Sequence, residues 1–400
     1  MFDPASVRFR GPLAPHVDGF WAELMRQGYA PLSGQGLLQV AAHVSRWLDD
    51  RGLAPGDLTG ERVAQFAKHR RRQGYSGYLT PQAVEPLLRY LRGRGIAPPS
   101  KPPLPDTPVD RFVREYADYL AAERGLVAST IRGYTDFARG FIDGELGGVP
   151  AWRALDAGGV IGFVSREFRR SSVGACKMTV TQLRSLLRYL HLRGQVARDL
   201  AACVPAVAGW RLSSLPKALE PDQVERMLAA CDSRSLVGVR DRAVLCLLAR
   251  LGMRAGEVAA LRLADIDWRA GELVVRGKPR RESRLPLPPD VGKSIVAYLR
   301  RRPRMASRAV FLSAHAPLRP LTAHAISMLT RKALQAIGVR AGSAHVLRHT
   351  AATQMLHRGA SLAEIGHVLR HRHIDTTAIY AKVDHTNLRA LVQPWPGDAA

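Results

Sequence analysis

The stretch LGMRAGEVAALRLADID, Leu251–Asp267, begins where a predicted helix ends. The apolar run Asp241–Leu251 in front of it has helical spacing, and Gly252 can end that helix because glycine adopts the left-handed conformation without a steric penalty. Arg254 then follows the end of that helix, and Glu257 starts the next turn. The junction therefore places a cation at a helix end, and the surrounding sequence indicates the function of that cation.

Around this junction the sequence mixes helical and extended patterns. The run ELVVRGKPRRESRLPLP, Glu272–Pro288, contains two β-prone segments around a Gly-Lys-Pro turn, which predicts a hairpin with Lys278 at its tip. Apolar residues recur at helical spacing in the rest of this region. The predicted helices span Pro221–Cys231, Gly292–Arg300, Ala323–Ala336, Val346–His357, Leu362–Leu369 and Asp375–Tyr380.

Two proline-rich breaks divide the chain. One is APPSKPPLPDTP, Ala97–Pro108, and the other lies between Val204 and Pro216. Clustered prolines favour an extended linker, because each proline fixes φ and removes a backbone N–H. We therefore predict an N-terminal helical unit at 1–99, a linker at 100–108, a second helical unit at 109–204, a mixed unit at 216–391 and a C-terminal tail at 392–400.

The first two units share three short sequences in the same order, namely VDGF and VDRF, VAQF and VIGF, and LLRYLRGRGIA and LLRYLHLRGQVA. Similar spacing along both units favours a duplicated helical unit over chance matches between Arg- and Leu-rich helices. The matching segments begin at Val17 and Val109, at Val63 and Val160, and at Leu87 and Leu186.

The charge balance favours a polyanionic partner. Of 400 residues, 59 are Lys or Arg and 34 are Asp or Glu, so the formal net charge is +25. An excess of this size commonly accompanies nucleic-acid binding. A codon bias toward Arg and Ala explains part of the excess, but such a bias would not suppress acidic residues. A hydrophobic content of 46% can fill packed cores, which excludes a disordered basic tail.

The sequence carries no pattern for export or membrane insertion. The start MFDPASVRFRG lacks the apolar segment of a signal peptide, and no stretch approaches the roughly 20 apolar residues of a membrane span. The cysteines lack CxxC spacing and stand among apolar neighbours, so we expect reduced, buried thiols in a soluble cytoplasmic protein with no membrane association. These cysteines are Cys176, Cys203, Cys231 and Cys246.

Cations, imidazoles and one phenol accumulate in the mixed unit. His345 and Arg348 of HVLR project from one face of a helical turn. The stretch LRHRHIDTTAIYAK, Leu369–Lys382, places His371 ahead of Tyr380. The complete candidate set is Arg254, Lys278, His345, Arg348, His371 and Tyr380.

Such a set suits attack on a phosphodiester. Two arginine forks can bind the non-bridging oxygens and stabilise the added charge of a pentavalent transition state. A lysine at a hairpin tip can protonate the leaving alkoxide, and imidazoles can donate hydrogen bonds or accept the phenol proton. A tyrosine adduct is a phosphate ester that a DNA hydroxyl can attack in turn. No carboxylate cluster suited to a metal is visible, so we expect no divalent ion and no other cofactor.

These residues in this order resemble the tyrosine recombinase (phage integrase) family. LGMRAGEVAALRLADID resembles the first arginine box of the family, the match covers about 216–391, and 109–204 resembles its SAM-like core-binding domain. The resemblance implies a mainly α fold with a small β-sheet: an α+β catalytic domain follows the helical core-binding domain, and 1–99 is an extra helical unit.

The resemblance also implies a reaction on double-stranded DNA. Tyr380 would be the nucleophile that forms a 3′-phosphotyrosyl bond, and Arg254 and Arg348 would bind the scissile phosphate. The family works without ATP, as a homo-tetramer on synapsed DNA sites.

Four further residues are assigned by position in the family pattern. His345 and His371 would assist through hydrogen bonds and proton transfer, Lys278 would be the general acid for the 5′-hydroxyl, and Glu257 would orient the site without reacting. We therefore expect a site-specific recombinase or integrase, serving DNA integration or transposition of a mobile element. A type IB topoisomerase-like DNA relaxation activity and a non-catalytic DNA-binding regulator of the same fold remain as alternatives.

The sequence departs from the family pattern at one position near the tyrosine. The family usually has a small residue before the second histidine, where this chain has Arg370, and that side chain either adds a phosphate contact or crowds the site. A second IGH motif ends at His367, but its separation from Tyr380 is greater than that of His371.

Overall fold

The computed structural model describes residues 7–77, 80–99, 107–208, 218–276, 282–340, 342–370 and 377–383. The chain divides into two compact units, one from Met1–Ser100 together with Ser214–Ala400, and the other from Lys101–Ser213. The domain boundaries derived from the proline-rich breaks stay a prediction.

The first segment is helical. Its helices pack a shared core in which Trp47 meets Phe66 edge to face at a centroid distance of 5.9 Å. Within the same compact unit, the Leu318 N–H donates to the Gln27 carbonyl at 2.9 Å. The helices are α1 (Val17–Arg26), α2 (Pro31–Asp49), α3 (Gly60–Arg72) and α4 (Glu85–Gly93).

The second compact unit, Lys101–Ser213, is also helical. Helix α5 begins after Thr107, whose hydroxyl accepts the Asp110 N–H at 3.1 Å, an N-cap of the usual kind. In the core, the Tyr116 hydroxyl donates to Ser185 Oγ at 3.0 Å, which satisfies two buried polar groups. The helices are α5 (Pro108–Ala122), α6 (Ala128–Glu145), α7 (Ala157–Arg170) and α8 (Val173–Leu192).

The three sequences that are shared by 1–99 and 109–204 lie in corresponding helices. VDGF and VDRF fall in α1 and α5, VAQF and VIGF in α3 and α7, and the LLRYL segments in α4 and α8. The duplication itself stays a prediction.

The third segment builds around a helix that is buried on nearly all sides. Helix α10 (Leu236–Leu251) packs against α12 (Pro289–Leu299) and α14 (Ala344–His357), and its side chains contribute much of the core. The remaining helices are α9 (Pro221–Ala229), α11 (Ala255–Ala260), α13 (Ala323–Ala336), α15 (Leu362–Val368) and the 3₁₀ helix Ala378–Val383.

The small sheet has the antiparallel order β1-β2-β3. The predicted hairpin is confirmed, since β2 (Glu272–Arg276) pairs with β3 (Glu282–Pro286) in antiparallel register. Side chains alternate between core and solvent as the pleat requires, with Leu273 and Leu285 paired and buried. The short strand β1 (Ile266–Asp267) was not predicted, because two residues carry no periodic pattern.

The mainly α fold class with a small sheet is confirmed, and a few local predictions need correction. Helix α10 begins at Leu236 rather than Asp241, because Ser235 Oγ accepts the Gly238 N–H at 3.0 Å and caps an earlier turn. The structure has a 3₁₀ helix, Ala378–Val383, where the sequence predicted the helix Asp375–Tyr380. The first residues of that prediction, Asp375 and Thr376, lie outside the described residues.

The expectation of buried thiols is wrong for Cys203. All four cysteines are free, and Cys176 and Cys246 are buried, but Cys203 is exposed. It ends the 3₁₀ helix Leu200–Cys203, in which Leu200 and Ala201 take the buried positions. None of the helices in the described ranges is long and apolar enough to cross a bilayer.

Candidate active site

The junction after α10 positions the first arginine. Gly252 has φ 59° and ψ 25°, and a Cβ there would lie 2.4 Å from Leu369 Cδ2, so the position needs glycine for both its conformation and its space. The Gly252 carbonyl accepts from Arg348 Nη1 at 2.5 Å. The end of α10 therefore ties Arg348, on α14, to the loop that carries Arg254.

Arg254 and Glu257 form a local pair at the start of α11. The Glu257 carboxylate accepts the Arg254 backbone N–H and its Nη1, each at 2.8 Å. The Arg254 side chain is 41% exposed while that of Glu257 is 6% exposed. Burial by itself raises the pKa of Glu257, but the Arg254 N–H and the guanidinium groups of Arg370 and Arg254 outweigh it, so the net pKa is lowered. Glu257 is therefore an anion that holds Arg254 in a ligand-accessible position.

Arg348 is the buried member of the site. Its Nη1 donates to the Gly252 carbonyl and its Nη2 to the Leu369 carbonyl. Burial, followed by the charge of Arg254, lowers the pKa of Arg348 to about 10, so it stays protonated near neutral pH. The next carbonyl along the chain, that of Arg370, accepts Arg254 Nη2 at 3.4 Å. Two consecutive carbonyls thus hold the two predicted phosphate-binding arginines side by side.

Two histidines lie one turn apart on α14. The rings of His345 and His349 have centroids 5.8 Å apart. Burial lowers the pKa of both imidazoles, and nearby positive charge from Arg348 lowers them further. Both rings are therefore neutral at neutral pH and each keeps one nitrogen that can accept a proton.

Tyr380 meets the second of these histidines. Its hydroxyl lies 2.9 Å from His349 Nδ1, and the two rings pack edge to face at 5.7 Å. The side chain is 1% exposed and packs in a small apolar cluster with Leu356, Ile365 and Leu369. Burial raises the pKa of Tyr380 to about 12, partly offset by the charge of Arg348. The phenol is therefore protonated at neutral pH and needs a proton acceptor before it can act as a nucleophile.

Sequence reasoning missed His349. The signal was present, because His349 follows His345 by four residues and therefore shares its helix face. The motif HVLRH drew attention to the first histidine and the arginine, while only the packing of Tyr380 against α14 identifies the partner of the phenol.

The structure brings together all of the candidates that it describes. Arg254, Glu257, His345, Arg348 and Tyr380 belong to one site at the meeting of α11, α14 and the 3₁₀ helix. Lys278, with its neighbours Arg280 and Arg281, and His371, with its neighbours Arg372 and His373, lie outside the described residues.

The described part of the site is suited to anion chemistry. It offers two guanidinium groups, two neutral imidazoles and one phenol, and a single carboxylate that is already paired. Guanidinium forks bind the non-bridging oxygens of a phosphodiester, and a neutral imidazole can receive the phenol proton. Within the described ranges, no three His, Cys, Asp or Glu side chains are grouped as metal ligands would be.

Comparison with known proteins agrees with this chemistry. Residues 217–387 match the model of the phage integrase family. A Sinorhizobium fredii (strain NBRC 101917 / NGR234) protein named as an integrase/recombinase, y4rA, is 40% identical over 97% of this chain and 96% of its own length. Tyrosine recombinase XerD of Listeria monocytogenes serotype 4b (strain F2365) is 28% identical over 70% of this chain and 96% of its own length.

Solved structures agree on the fold. The XerH site-specific recombinase bound to palindromic difH substrate matches with a TM-score of 0.55 at 18% identity, over 70% of this chain and 83% of that one. A lambda integrase (75–356) dimer bound to a COC′ core site matches with a TM-score of 0.53 at 18% identity, over 69% of this chain and 95% of that one.

Proposed function

This chain belongs to the phage integrase family and is a tyrosine-type site-specific recombinase, and from that premise we propose that Tyr380 cleaves DNA by forming a 3′-phosphotyrosyl bond. The observation that carries the proposal is the 2.9 Å contact between the Tyr380 hydroxyl and His349 Nδ1, beside the paired arginines. The nucleophile, its proton acceptor and the phosphate-binding groups are thus in one place.

The reaction exchanges one phosphate ester for another. The Tyr380 oxygen attacks the scissile phosphorus, the bond from phosphorus to the 5′ oxygen breaks, and the leaving oxygen takes a proton. A 5′-hydroxyl of another strand then attacks the phosphotyrosine and releases Tyr380. Because the ester bond is conserved at each step, strand exchange needs no ATP.

The arginines supply the electrostatic part of catalysis. Arg254 is accessible and Arg348 is buried beside it, and the guanidinium N–H groups that the backbone carbonyls do not use can bind the phosphate oxygens. The pentavalent transition state carries more negative charge than the substrate, and preorganised cations stabilise that added charge selectively. His345 lies on the same face of α14 and can donate a hydrogen bond to a phosphate oxygen.

We expect His349 to accept the Tyr380 proton, and the pH dependence of cleavage tests this. The lowered pKa of His349 lies below 6.5, so cleavage should be fully supported at pH 7 and should decline as the pH falls through that lowered pKa and the ring becomes imidazolium. His349→Gln should reduce the cleavage rate about 10²-fold, the lower range for a positioned acid or base, and should remove this acid limb.

His345→Gln is the matched control for that experiment, since it removes a second imidazole with a lowered pKa from the same helix face. It should slow cleavage while keeping the acid limb. A His349→Gln protein with the wild-type rate and pH profile would exclude His349 as the acceptor. Single-turnover rates on a nicked substrate between pH 5 and 8 provide the measurement.

We propose Lys278 as the general acid that protonates the 5′ oxygen, on the strength of its position in the sequence between the paired strands β2 and β3. Lys278→Ala should cleave ordinary DNA about 10²–10⁴-fold more slowly. The same variant should cleave a 5′-bridging phosphorothiolate at nearly the wild-type rate, because a thiolate leaves without a proton. If sulfur does not rescue the variant, the acid is another residue, and Arg280 and Arg281 are the next to test.

The biological role proposed is integration or transposition of a mobile element. The name of the S. fredii relative as an integrase/recombinase supports this, because that likeness extends over 97% of the chain and therefore includes the N-terminal helical segment. An additional helical unit lengthens the basic surface available to DNA, and each neutralised phosphate adds about −0.9 to the slope of log affinity against log salt.

The number of DNA strands that are exchanged indicates how many protomers the assembly needs. Two duplexes have four strands, and each cleavage consumes one tyrosine, so four protomers on two synapsed double-stranded sites supply the required nucleophiles. We therefore propose a homo-tetramer on synapsed DNA, with 109–204 as the core-binding domain and 216–391 as the catalytic domain of each protomer.

One experiment tests the proposed activity. Wild-type protein is mixed with DNA from the flanks of its own gene, including nicked duplexes that lose the leaving strand, and SDS-resistant protein–DNA adducts are mapped. An adduct at one defined phosphate supports the proposal. Binding without an adduct on any of these substrates would favour a DNA-binding regulator, whereas relaxation of any supercoiled plasmid without exchange between sites would favour a topoisomerase.

A further inference from the structure

The turn after α15 contains an unusual backbone conformation. Among the described residues, Arg370 is the only non-glycine with positive φ, at 55°, while every other positive φ belongs to a glycine. An L-residue pays roughly 1–2 kcal/mol for the left-handed region. The turn itself is needed, because the carbonyls of Leu369 and Arg370 hold Arg348 and Arg254. Glycine would form this turn without strain, so the arginine side chain must contribute something that glycine lacks.

The Arg370 side chain reaches into the site. Its Nη2 donates to Glu257 Oε2 at 2.7 Å, and its Nη1 donates to the Val368 carbonyl at 2.9 Å. The side chain is 11% exposed and that of Glu257 is 6% exposed, so this ion pair is largely screened from water. Arg370 Nε is buried and has no hydrogen-bond partner in the described part of the chain. To the sequence alternatives of a phosphate contact or a crowded site, the structure adds a third arrangement, a pair with Glu257.

The pairing changes the charge that the site offers a phosphate. Glu257 Oε1 accepts from Arg254 Nη1, while Oε2 accepts from Arg370 Nη2 and from the Arg254 backbone N–H. With glycine at position 370, the single carboxylate would offset Arg254 alone, and only Arg348 would be left without an anionic partner. With Arg370 present, the described cluster contains three guanidinium groups and one carboxylate, so it carries two net positive charges. A pentavalent phosphorane with two negative charges matches that value.

We propose that Arg370 is a positioning residue for the proposed strand cleavage: by pairing with Glu257, it leaves the charge of Arg254 available to the scissile phosphate. Arg370 acts through Glu257 and Arg254 and does not itself contact the DNA. The inference rests on the proposed function and goes beyond it, because it assigns a role to a residue at which this chain departs from the family pattern.

The test replaces the side chain and keeps the turn. Arg370→Gly retains the left-handed conformation, and the relieved strain offsets part of the cost of losing the ion pair with Glu257, so the protein should still fold. On ordinary DNA it should cleave the mapped phosphate about 10–100-fold more slowly, the usual effect of losing a group that supports a site through its neighbours. Arg370→Lys keeps the positive charge and should recover most of the rate.

A neutral substrate separates the electrostatic role from a structural one. A methylphosphonate at the scissile position replaces one charged non-bridging oxygen by a methyl group, so the site has less charge to stabilise. On this substrate Arg370→Gly should cleave within about threefold of wild type. In a Glu257→Gln background, Arg370→Gly should have little further effect, because the anion it offsets is gone.

The outcomes distinguish the inference from the proposed function. A wild-type adduct, with equal losses for Arg370→Gly on both substrates, would mean that Arg370 has only a structural role. A wild-type adduct with no loss on ordinary DNA would mean that the side chain is dispensable. Absence of a wild-type adduct at any phosphate would overturn the proposed cleavage and, with it, the role of Arg370.

Discussion

Tyr380→Phe should bind DNA as the wild type does and form no SDS-resistant adduct. The substitution removes one oxygen from a side chain that is 1% exposed and already packed against Leu356 and Leu369, so the fold should be retained. Its structural cost is the lost hydrogen bond to His349, about 1 kcal/mol. Without the attacking oxygen, cleavage should fall to background, a loss of roughly 10⁴-fold or more.

The matched control for this variant is Tyr298→Phe. Tyr298 is also 1% exposed, lies in the same segment, and loses one hydrogen bond on substitution, since its hydroxyl accepts the Leu312 N–H at 3.1 Å. Tyr298→Phe should retain adduct formation, which separates loss of the nucleophile from loss of a buried hydroxyl. An adduct of wild-type yield from Tyr380→Phe would remove Tyr380 from the mechanism.

Arg348→Ala should lose both catalytic activity and stability. The guanidinium is expected to bind the scissile phosphate, and removal of one such donor costs about 10²–10³-fold in the chemical step. The same change leaves the Gly252 and Leu369 carbonyls without their donor, which should lower the free energy of unfolding by about 1–3 kcal/mol. Single-turnover cleavage and thermal unfolding measure the two effects separately.

Arg302→Ala is the control for the loss of stability that Arg348→Ala is expected to cause. Arg302 also uses its guanidinium to hold backbone carbonyls, those of Ser307, Ala309 and Val310, and none of these three is a described site residue. It should lose stability on a similar scale and keep its cleavage rate at temperatures where it is folded. If Arg302→Ala and Arg348→Ala lose activity equally, the effect of Arg348 is one of folding and the phosphate-binding role is wrong.

Much of the fold could be predicted because it depends on local patterns. Two β-prone runs around a Gly-Lys-Pro turn identified the hairpin, and helical spacing identified α13 with its observed bounds, Ala323–Ala336. Gly252 was predicted to end α10 from the conformational freedom of glycine alone, and the structure has it there at positive φ. The family could be named from the order of the candidate residues, and the family match and the relatives agree.

Sequence patterns did not predict a strand too short to show a period, or a helix start that a single capping residue sets. Strand β1 has two residues, and the earlier start of α10 depends on the single hydroxyl of Ser235. The exposure of Cys203 depends on which side of a short 3₁₀ helix faces the core, which neighbouring letters do not reveal.

By itself, the sequence determined the residue types of the site and the helix face shared by His345 and Arg348. Only the tertiary structure decided which groups meet: the Tyr380 hydroxyl with His349, the two arginines with consecutive carbonyls after α15, and Arg370 with Glu257. The physical reason is that backbone periodicity acts over a few residues. Contacts between groups 21 to 116 residues apart depend instead on how whole helices pack and on which buried polar atoms are left to satisfy one another.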